Sequence, residues 1–273
     1  DSGLWICSRI YTMIFGGTPE TAILNDPDLV FLLNAGNASS GGDGITGGSG
    51  TRYDMSGNGK NIGVGYGTPI WRDDYGGVIG FTAADELDSD HFILDVNVPA
   101  AKMTNTTMFV VVKNTRSAGV KDFSGILHAR GGGGMSTGIQ GTSSLYGAAG
   151  PSGNLGYNYG TSSVTWRYNS GLTFPLNKWC LAVVAVDTSV GATFYMCDAD
   201  NGIQTDVHSY SSYGTISDFR TTRIGRETGG QSSGADSNRG WQGDYAMAGM
   251  YTRTLNYGEV EKIYNSLKSK YGI

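Results

Sequence analysis

From residue 91 onward, short runs rich in β-branched and aromatic residues follow one another, each bounded by Gly, Asn, Ser or Asp. They are "HFILDVNV" (91–98), "MFVVVKN" (108–114), "GILHAR" (125–130), "VTWRYN" (164–169), "WCLAVVAVD" (179–187), "ATFYMCD" (192–198), "TTRIGRE" (221–227) and "DYAMAGMYTR" (244–253). Each predicts a strand. "DLVFLLNAG" (28–36) and "GGVIGFTA" (76–83) read the same way. "FVVV" and "CLAVVAV" are more continuously apolar than one-sided alternation allows, which predicts central strands covered on both faces. Only the last segment changes period. In "LNYGEVEKIYNSLKSKYGI", Asn256 and Glu259 form a capping box, and Val260, Ile263, Tyr264, Leu267 and Tyr271 make an apolar stripe at helical spacing before Gly272. The pattern predicts one C-terminal amphipathic helix that closes one end of a sheet, with a partner-binding helix as the alternative.

Two passages, "GNASSGGDGITGGSG" (36–50) and "ARGGGGMSTGIQGTSSLYGAAGPSGNLG" (129–156), are low in complexity. The second has hydrophobic residues spaced through it and strands on both sides, so it reads as long loops and short hairpins, not as a linker. "RYDMSGNGKNIG" (52–63) looks like a site. Asp54, Ser56, Asn58 and Gly59 fit the first half of an EF-hand loop, but position twelve falls on Gly65, which has no carboxylate to close the coordination sphere. A phosphate-binding loop fails as well, because Asp54 stands where the first glycine belongs and Asn61 follows Lys60. A polar turn remains, with a non-EF calcium site at Asp54 and Asn58 as the sharper alternative. No cofactor is required by this reading; calcium is the one candidate.

Composition narrows the class. Gly 44 against Pro 6 excludes collagen, and Tyr 16, Phe 9 and Trp 5 exclude a disordered linker. A net charge of -5 with no basic run excludes nucleic acid and anionic membranes as non-specific partners. No apolar stretch reaches the ~20 residues of a membrane span. The N-terminal "LWICSRIYTMIF" lacks the features of a signal peptide and offers Trp5, Ile10, Tyr11, Ile14 and Phe15 for packing. It reads either as an extra strand on the chain's own sandwich or as an assembly segment that docks on identical subunits or a particle. Cys7, Cys180 and Cys197 do not make a disulfide framework and read as buried free thiols, compatible with assembly in a reducing cytoplasm.

The order of motifs resembles a known family. "DPDLVFLLNAGN", "YDMSGNGKNIG", "GGVIGF", "KWCLAVVAVDTSVGATFYMCDADNG", "IGRETGG" and "RGWQGDYAMAGMYTRTLNYGEVEKIYNSLKSKYGI" follow the sequence of the laminin-G-like, or concanavalin A-like, lectin/glucanase domains. The resemblance covers about residues 26–273 and is most specific from Trp241 to Ile273. It implies an all-β, two-sheet antiparallel jelly-roll sandwich with one C-terminal helix, preceded by residues 1–25 as a separate apolar segment. It also makes Asp54 to Gly59 the family's early loop and Trp179 the opening of a buried central strand. "CDADNG", Met247 and Gly249 depart from the family pattern.

Glucanases of this fold carry a pair of catalytic glutamates on one strand face, and glycoside hydrolysis needs two carboxylates some 5 to 10 Å apart. Here Glu20 and Glu86 fall in loops, Glu227 ends a strand, and Glu259 and Glu261 sit on the helix. "DELDSD" (85–90) reads as a solvated or cation-binding loop, and His91, His128 and His208 as lone histidines. The expectation is a non-enzyme. A glycan-binding module would use "NLGYNYGTSSVTWRYN", where Tyr157, Tyr159, Trp166 and Tyr168 alternate with amides including Asn158. Facing outward these aromatics form a sugar platform; facing inward they are core, where large aromatics usually lie. The Gly-, Ser- and Asn-rich style resembles jelly rolls of bacteriophage virion proteins, which implies attachment to a glycan or host from a virion or bacterial surface. A capsid decoration or tail-fibre domain without sugar binding is the alternative.

Overall fold

The computed structural model describes residues 23, 25–36, 53–81, 91–102, 104–115, 124–131, 136–142, 153–160, 165–209, 219–226 and 240–273. Its strands are β1 (Leu29–Asn34), β2 (Ile62–Tyr66), β3 (Ile70–Arg72), β4 (Val78–Phe81), β5 (His91–Val98), β6 (Asn105–Asn114), β7 (Ser124–Gly131) and β8 (Ser136–Thr142). They continue as β9 (Asn154–Gly160), β10 (Thr165–Thr173), β11 (Trp179–Asp187), β12 (Gly191–Asp198), β13 (Gly202–Ser209), β14 (Phe219–Ile224) and β15 (Gly243–Tyr251), before helix α1 (Tyr257–Tyr271). An eight-stranded sheet runs β13-β12-β11-β6-β15-β4-β3, with β1 also paired to β15, and a seven-stranded sheet runs β10-β9-β8-β7-β14-β5-β2. The fold is an all-β antiparallel sandwich with a C-terminal helix.

The continuous apolar runs resolve into two stripes. Along β11, Cys180, Ala182, Val184 and Val186 join the core between the sheets, together with Met108, Val110 and Val112 of β6 and Phe92, Leu94 and Val96 of β5. Trp179, Leu181, Val183 and Ala185 alternate with them, and join Phe109 and Val111 in a second core beneath Val260, Ile263, Leu267 and Tyr271. The helix therefore covers the outer face of the eight-stranded sheet and does not close one end of it, as its stripe alone suggested. Trp179 is buried in this second core, its ring 5.7 Å from that of Tyr271 and 5.6 Å from that of Tyr75. Asn256 and Glu259 make the capping box, and Gly272 ends the helix in the left-handed region.

β1 and β4 lie end to end along β15, which pairs with both. Where they meet, Gly77 has φ 135°, and a Cβ there would lie 2.5 Å from the carbonyl oxygen of Ala35, so no other residue fits. The start of β1, the end of β15 and the start of α1 are tied by Arg253, which pairs with Asp26 and, at 2.7 Å, with Glu259. Cys180 and Cys197 are buried and free, on opposite faces of the eight-stranded sheet, and burial pushes the Cys197 thiol up to about 12. No helix among the described residues is long and apolar enough to cross a membrane.

Three of the strands that the sequence pattern does not announce, β2, β3 and β13, lie at sheet edges, and β8 falls in the glycine-rich passage read as loops and hairpins. The N-terminal segment with Trp5, Ile10, Tyr11, Ile14 and Phe15 lies outside the described residues, as do "DELDSD" and most of 36–50.

Two outcomes follow from the packing. Leu267→Ala, which empties part of the second core, should lower stability by about 2–5 kcal/mol in guanidinium unfolding, as for other buried leucines. Burial alone would raise the pKa of Asp26, but hydrogen bonds from Arg253 and the Asp28 N–H, with the Arg253 charge, outweigh it and hold the carboxyl below its usual value. A lowered native pKa means that Asp26 stabilises the fold above its unfolded pKa, near 4, and ceases to as pH falls through the native value. Asp26→Asn should accordingly melt below wild type at pH 7, with the gap closing as melts are recorded at pH values lowered through the native pKa.

Candidate functional site

The polar loop ahead of β2 is built around one carboxylate. Asp54 Oδ1 accepts from the N–H of Leu32 at 3.0 Å and of Ser56 at 2.9 Å. Its Oδ2 accepts from Ser56 Oγ at 2.7 Å and from the Lys60 N–H at 3.0 Å. Asn58 Nδ2 donates to the carbonyls of Leu29 at 2.8 Å and Val30 at 3.1 Å, and the Met55 N–H donates to Leu32 O at 2.9 Å. The partners on β1 are the backbone groups on the side away from β15, an edge that would otherwise be open for pairing with another chain. "DMSGNG" is a clasp over that edge, with Gly57 and Gly59 supplying its left-handed turns at φ 82° and 69°. Asp54 and Asn58, the residues of the calcium expectation, both make hydrogen bonds inside this clasp, and chelation, below, is the test of that expectation. Four donors already surround the carboxylate, and Asn58 turns its N–H groups, not its oxygen, toward the chain.

The aromatic run divides. Tyr157 is fully buried with Leu155 in the core between the sheets, so it is core and not a sugar platform. Register pairs Tyr168 with Tyr157 and Trp166 with Tyr159. The side chains of Tyr159, Trp166, Tyr168 and Asn158 lie outside the described set.

The outer face of the seven-stranded sheet brings together residues that looked scattered. Phe92, Leu94, Val96 and Ile224 point into the core, so the alternate positions Ile93, Asp95 and Arg223 point away from it. Register then strings one cross-strand row through every strand of the sheet. Gly63 of β2 pairs with Ile93, Ile93 with Arg223, and Arg223 with His128 of β7. His128 pairs with Gly138, Gly138 with Asn158, and Asn158 with Arg167. A second row sets Asp95, Thr221 and Arg130 side by side. Directly paired positions on one face stand about 5 Å apart, close enough to act on one ligand.

The row is recessed and held. His128 is fully buried, His91 nearly so, and Arg223 and Ile93 are half-buried. His91, His128 and Arg223 also hold interactions within the chain. Gly65 of β2 lets two of these side chains lie close, since a Cβ there would come within 2.5 Å of Ile93 Cγ1 and 2.7 Å of His91 Nε2. Among the described residues, a Cβ at Gly63 would meet nothing nearer than the Ile93 carbonyl oxygen at 4.0 Å. The opposite outer face, under α1, is apolar throughout its centre. Among the described residues no helix covers the outer face of the seven-stranded sheet, where Ile93, Arg223 and His128 stand in one row. The signal in the sequence was alternation, His128 and Arg130 in "GILHAR" and Thr221 and Arg223 in "TTRIGRE", opposite Leu127 and Ile224.

Chemically the row offers donors and planar heads, with no pair of carboxylates. Glu259 serves the capping box and the Arg253 pair, and Glu261 is exposed on the helix, while Glu20, Glu86 and Glu227 lie outside the described residues. Among the described residues no group of three or more His, Cys, Asp or Glu is placed to hold a metal ion.

No family model matches the chain, and no curated protein matches it. Solved structures do. The botulinum neurotoxin serotype G binding domain aligns with TM-score 0.58 at 12% identity, over 88% of this chain and 51% of that one. The binding domain of botulinum neurotoxin DC, in complex with rat synaptotagmin II, gives 0.56 at 12% identity over 88% and 52%. A botulinum neurotoxin type C structure, whose description makes cell entry dependent on two ganglioside molecules, gives 0.55 at 12% identity over 88% and 51%. The chain thus spans about half the length of these structures, and at this identity the likeness is one of fold, to β-rich binding domains.

The clasp makes its own test. Asp54→Ala should cost roughly 1–3 kcal/mol in chemical denaturation, because it strands the donors of Leu32, Ser56 and Lys60. Excess EDTA should leave the melting temperature of the wild-type chain unchanged, and a loss of fold on chelation would show a cation in the clasp.

Proposed function

We propose that the chain is a non-enzymatic attachment module of laminin-G-like, concanavalin A-like jelly-roll type that binds a glycan through the outer face of its seven-stranded sheet. The observation that carries this is the unbroken register row from Gly63 through Ile93, Arg223 and His128 to Arg167. Sugars present hydroxyls and acceptors at several angles, and recognition asks for a few polar heads held rigidly on regular structure, with an apolar contact beside them. Strands fixed in register supply the rigidity, and Ile93 supplies the apolar contact. The structural neighbours are binding domains, and one is described through its ganglioside molecules. A non-catalytic role agrees with those neighbours, which are binding domains.

The setting is a phage virion surface or, alternatively, a bacterial extracellular surface, with the chain particle-bound or self-assembled. The dense apolar set from Leu4 to Phe15 favours a second reading, a capsid decoration or fibre domain that docks through this segment and binds no sugar.

One experiment separates the two. On an array of bacterial and host surface glycans, the full chain should retain a defined subset without releasing reducing ends over hours. If no glycan is retained, and removal of residues 1–20 abolishes assembly on a sizing column while leaving the fold intact, the structural reading replaces the glycan-binding one.

A further inference from the structure

We propose that the exposed edge of β13 is a self-association surface, on which a second copy of this chain lays its own β13 antiparallel about a two-fold axis at Thr205, so that the two eight-stranded sheets continue as one. The treatment of the other edges is the first ground. An open edge offers unpaired N–H and C=O groups to any extended chain, and proteins blunt such edges by shortening, bulging, charging or covering them. Among the described residues, β1 is covered by the clasp, β3 has three residues, and β2 and β10 are interrupted by register shifts. β13 has none of these devices. Its eight residues pair with β12 without a register shift, and "GIQTDVHS" contains no lysine, arginine or proline. Thr205, Val207, His208 and Ser209 are exposed.

Apolar surface left in water is the second ground, and it gathers at the same edge. Ile203 and Thr205 pair with Cys197 and Tyr195 of the second core, so they and Val207 stand on the outer face of the sheet. Val207 is 62% exposed. Val190, 64% exposed, precedes Gly191, the partner of Ser209, and Tyr257, 49% exposed, has its ring 6.4 Å from that of Tyr195. Strand pairing alone makes a small contact, whereas specific interfaces bury upwards of ~1,200 Å². Val190, Val207 and Tyr257 add apolar area that backbone bonds do not, and an association of this size is concentration-dependent.

Charge complementarity selects the occupant's register. The occupant has to bring an extended strand with a free edge of its own, and a second copy brings β13, the same patch meeting itself. A two-fold axis perpendicular to the sheet pairs only residues on one face, so it centres on a single residue. Centring on Asp206 would set two carboxylates directly opposite each other, a destabilising pair. Centring on Gln204 or Val207 shortens the paired stretch to 202–206 or 205–209. At Thr205 the whole of 202–208 is paired, with Ile203 against Val207 on the outer face and Asp206 against the Gln204 amide, which can donate to it. Asp206 already accepts from the Gly171 N–H at 2.8 Å, and the register asks of it only that no like charge stand opposite. The outer faces of the two seven-stranded sheets then point the same way. Resting on the glycan-binding reading, the dimer presents two such faces to one surface and gains avidity from it.

The test uses the full chain. Sedimentation from about 1 to about 200 μM, the range in which small interfaces associate, should show a monomer passing into a dimer. Thr205→Lys sets two like charges directly across the axis and should weaken association about a hundredfold, with the melting temperature held. Directly paired residues stand about 5 Å apart, so Thr205→Cys, which meets itself, should give a covalent dimer on mild oxidation well above the wild-type level. Val207→Cys, which meets Ile203, should not. If Thr205→Lys fails to fold, Val207→Lys at its exposed position should break the dimer in its place, and the two cysteine variants still report the register. A wild-type chain that stays monomeric throughout, lysine variants that associate as before, or equal cross-linking at both cysteines overturns the proposal. No glycan enters the assay, so its failure leaves the glycan-binding reading standing, just as an empty glycan array leaves the dimer standing.

Discussion

The eight-stranded sheet has to be buried on both faces, and most of the architecture answers that need. Its central strands β6, β11 and β15 carry apolar side chains in both directions, and every residue of β15 is buried. One face is covered by the second sheet. The other needs a cover that the remaining strands cannot supply, and the last segment of the chain provides it as an amphipathic helix. Strands so occupied have nothing left for solvent. In the other sheet β5 turns Phe92, Leu94 and Val96 inward and Asp95 and Asn97 outward.

How far the sequence could be read follows the same division. Central strands announce themselves, because a strand covered twice is apolar nearly throughout, and 179–187 matches its run residue for residue; the alternating run 91–98 does so as well. The helix is equally legible, its cap chemistry being local. Edge strands are not: "GIQTDVHS" is mostly exposed, and it is a strand because β12 hydrogen-bonds to it along its whole length. "DMSGNG" shows the difference between form and purpose. Gly, Asp, Ser and Asn declare a turn, but the groups they satisfy belong to β1, more than twenty residues back in the chain, and no local pattern names them. The polar row was least legible of all. Alternation places His128 and Arg223 on outer faces one strand at a time, whereas their adjacency depends on register between β7 and β14, which pair residues almost a hundred positions apart. Tyr157 marks the opposite error, since a run of alternating aromatics and amides reads equally well in either direction and only the fold decides which set goes inside.

The two outer faces of the sandwich are thus unlike in kind. One is sealed by a helix whose leucine, isoleucine and valine stripe fits the apolar side of β11 and β6. The other holds histidines and an arginine at a depth where water is scarce, steadied by contacts within the chain.

The pairing of β1 with β15 has a consequence for how the chain is made. Arg253 reaches back to Asp26 across 227 residues, and the whole of β1 lies against a strand near the other end of the sequence. A ribosome delivers β6 and β11 well before it delivers β15, and β15 before the helix. During that interval both sides of the most apolar strands stand uncovered. Topologies that depend on such distant pairings form slowly, and their half-made states attract one another. The nascent chain is therefore most vulnerable to aggregation in the interval before β15 and the helix emerge to cover those strands.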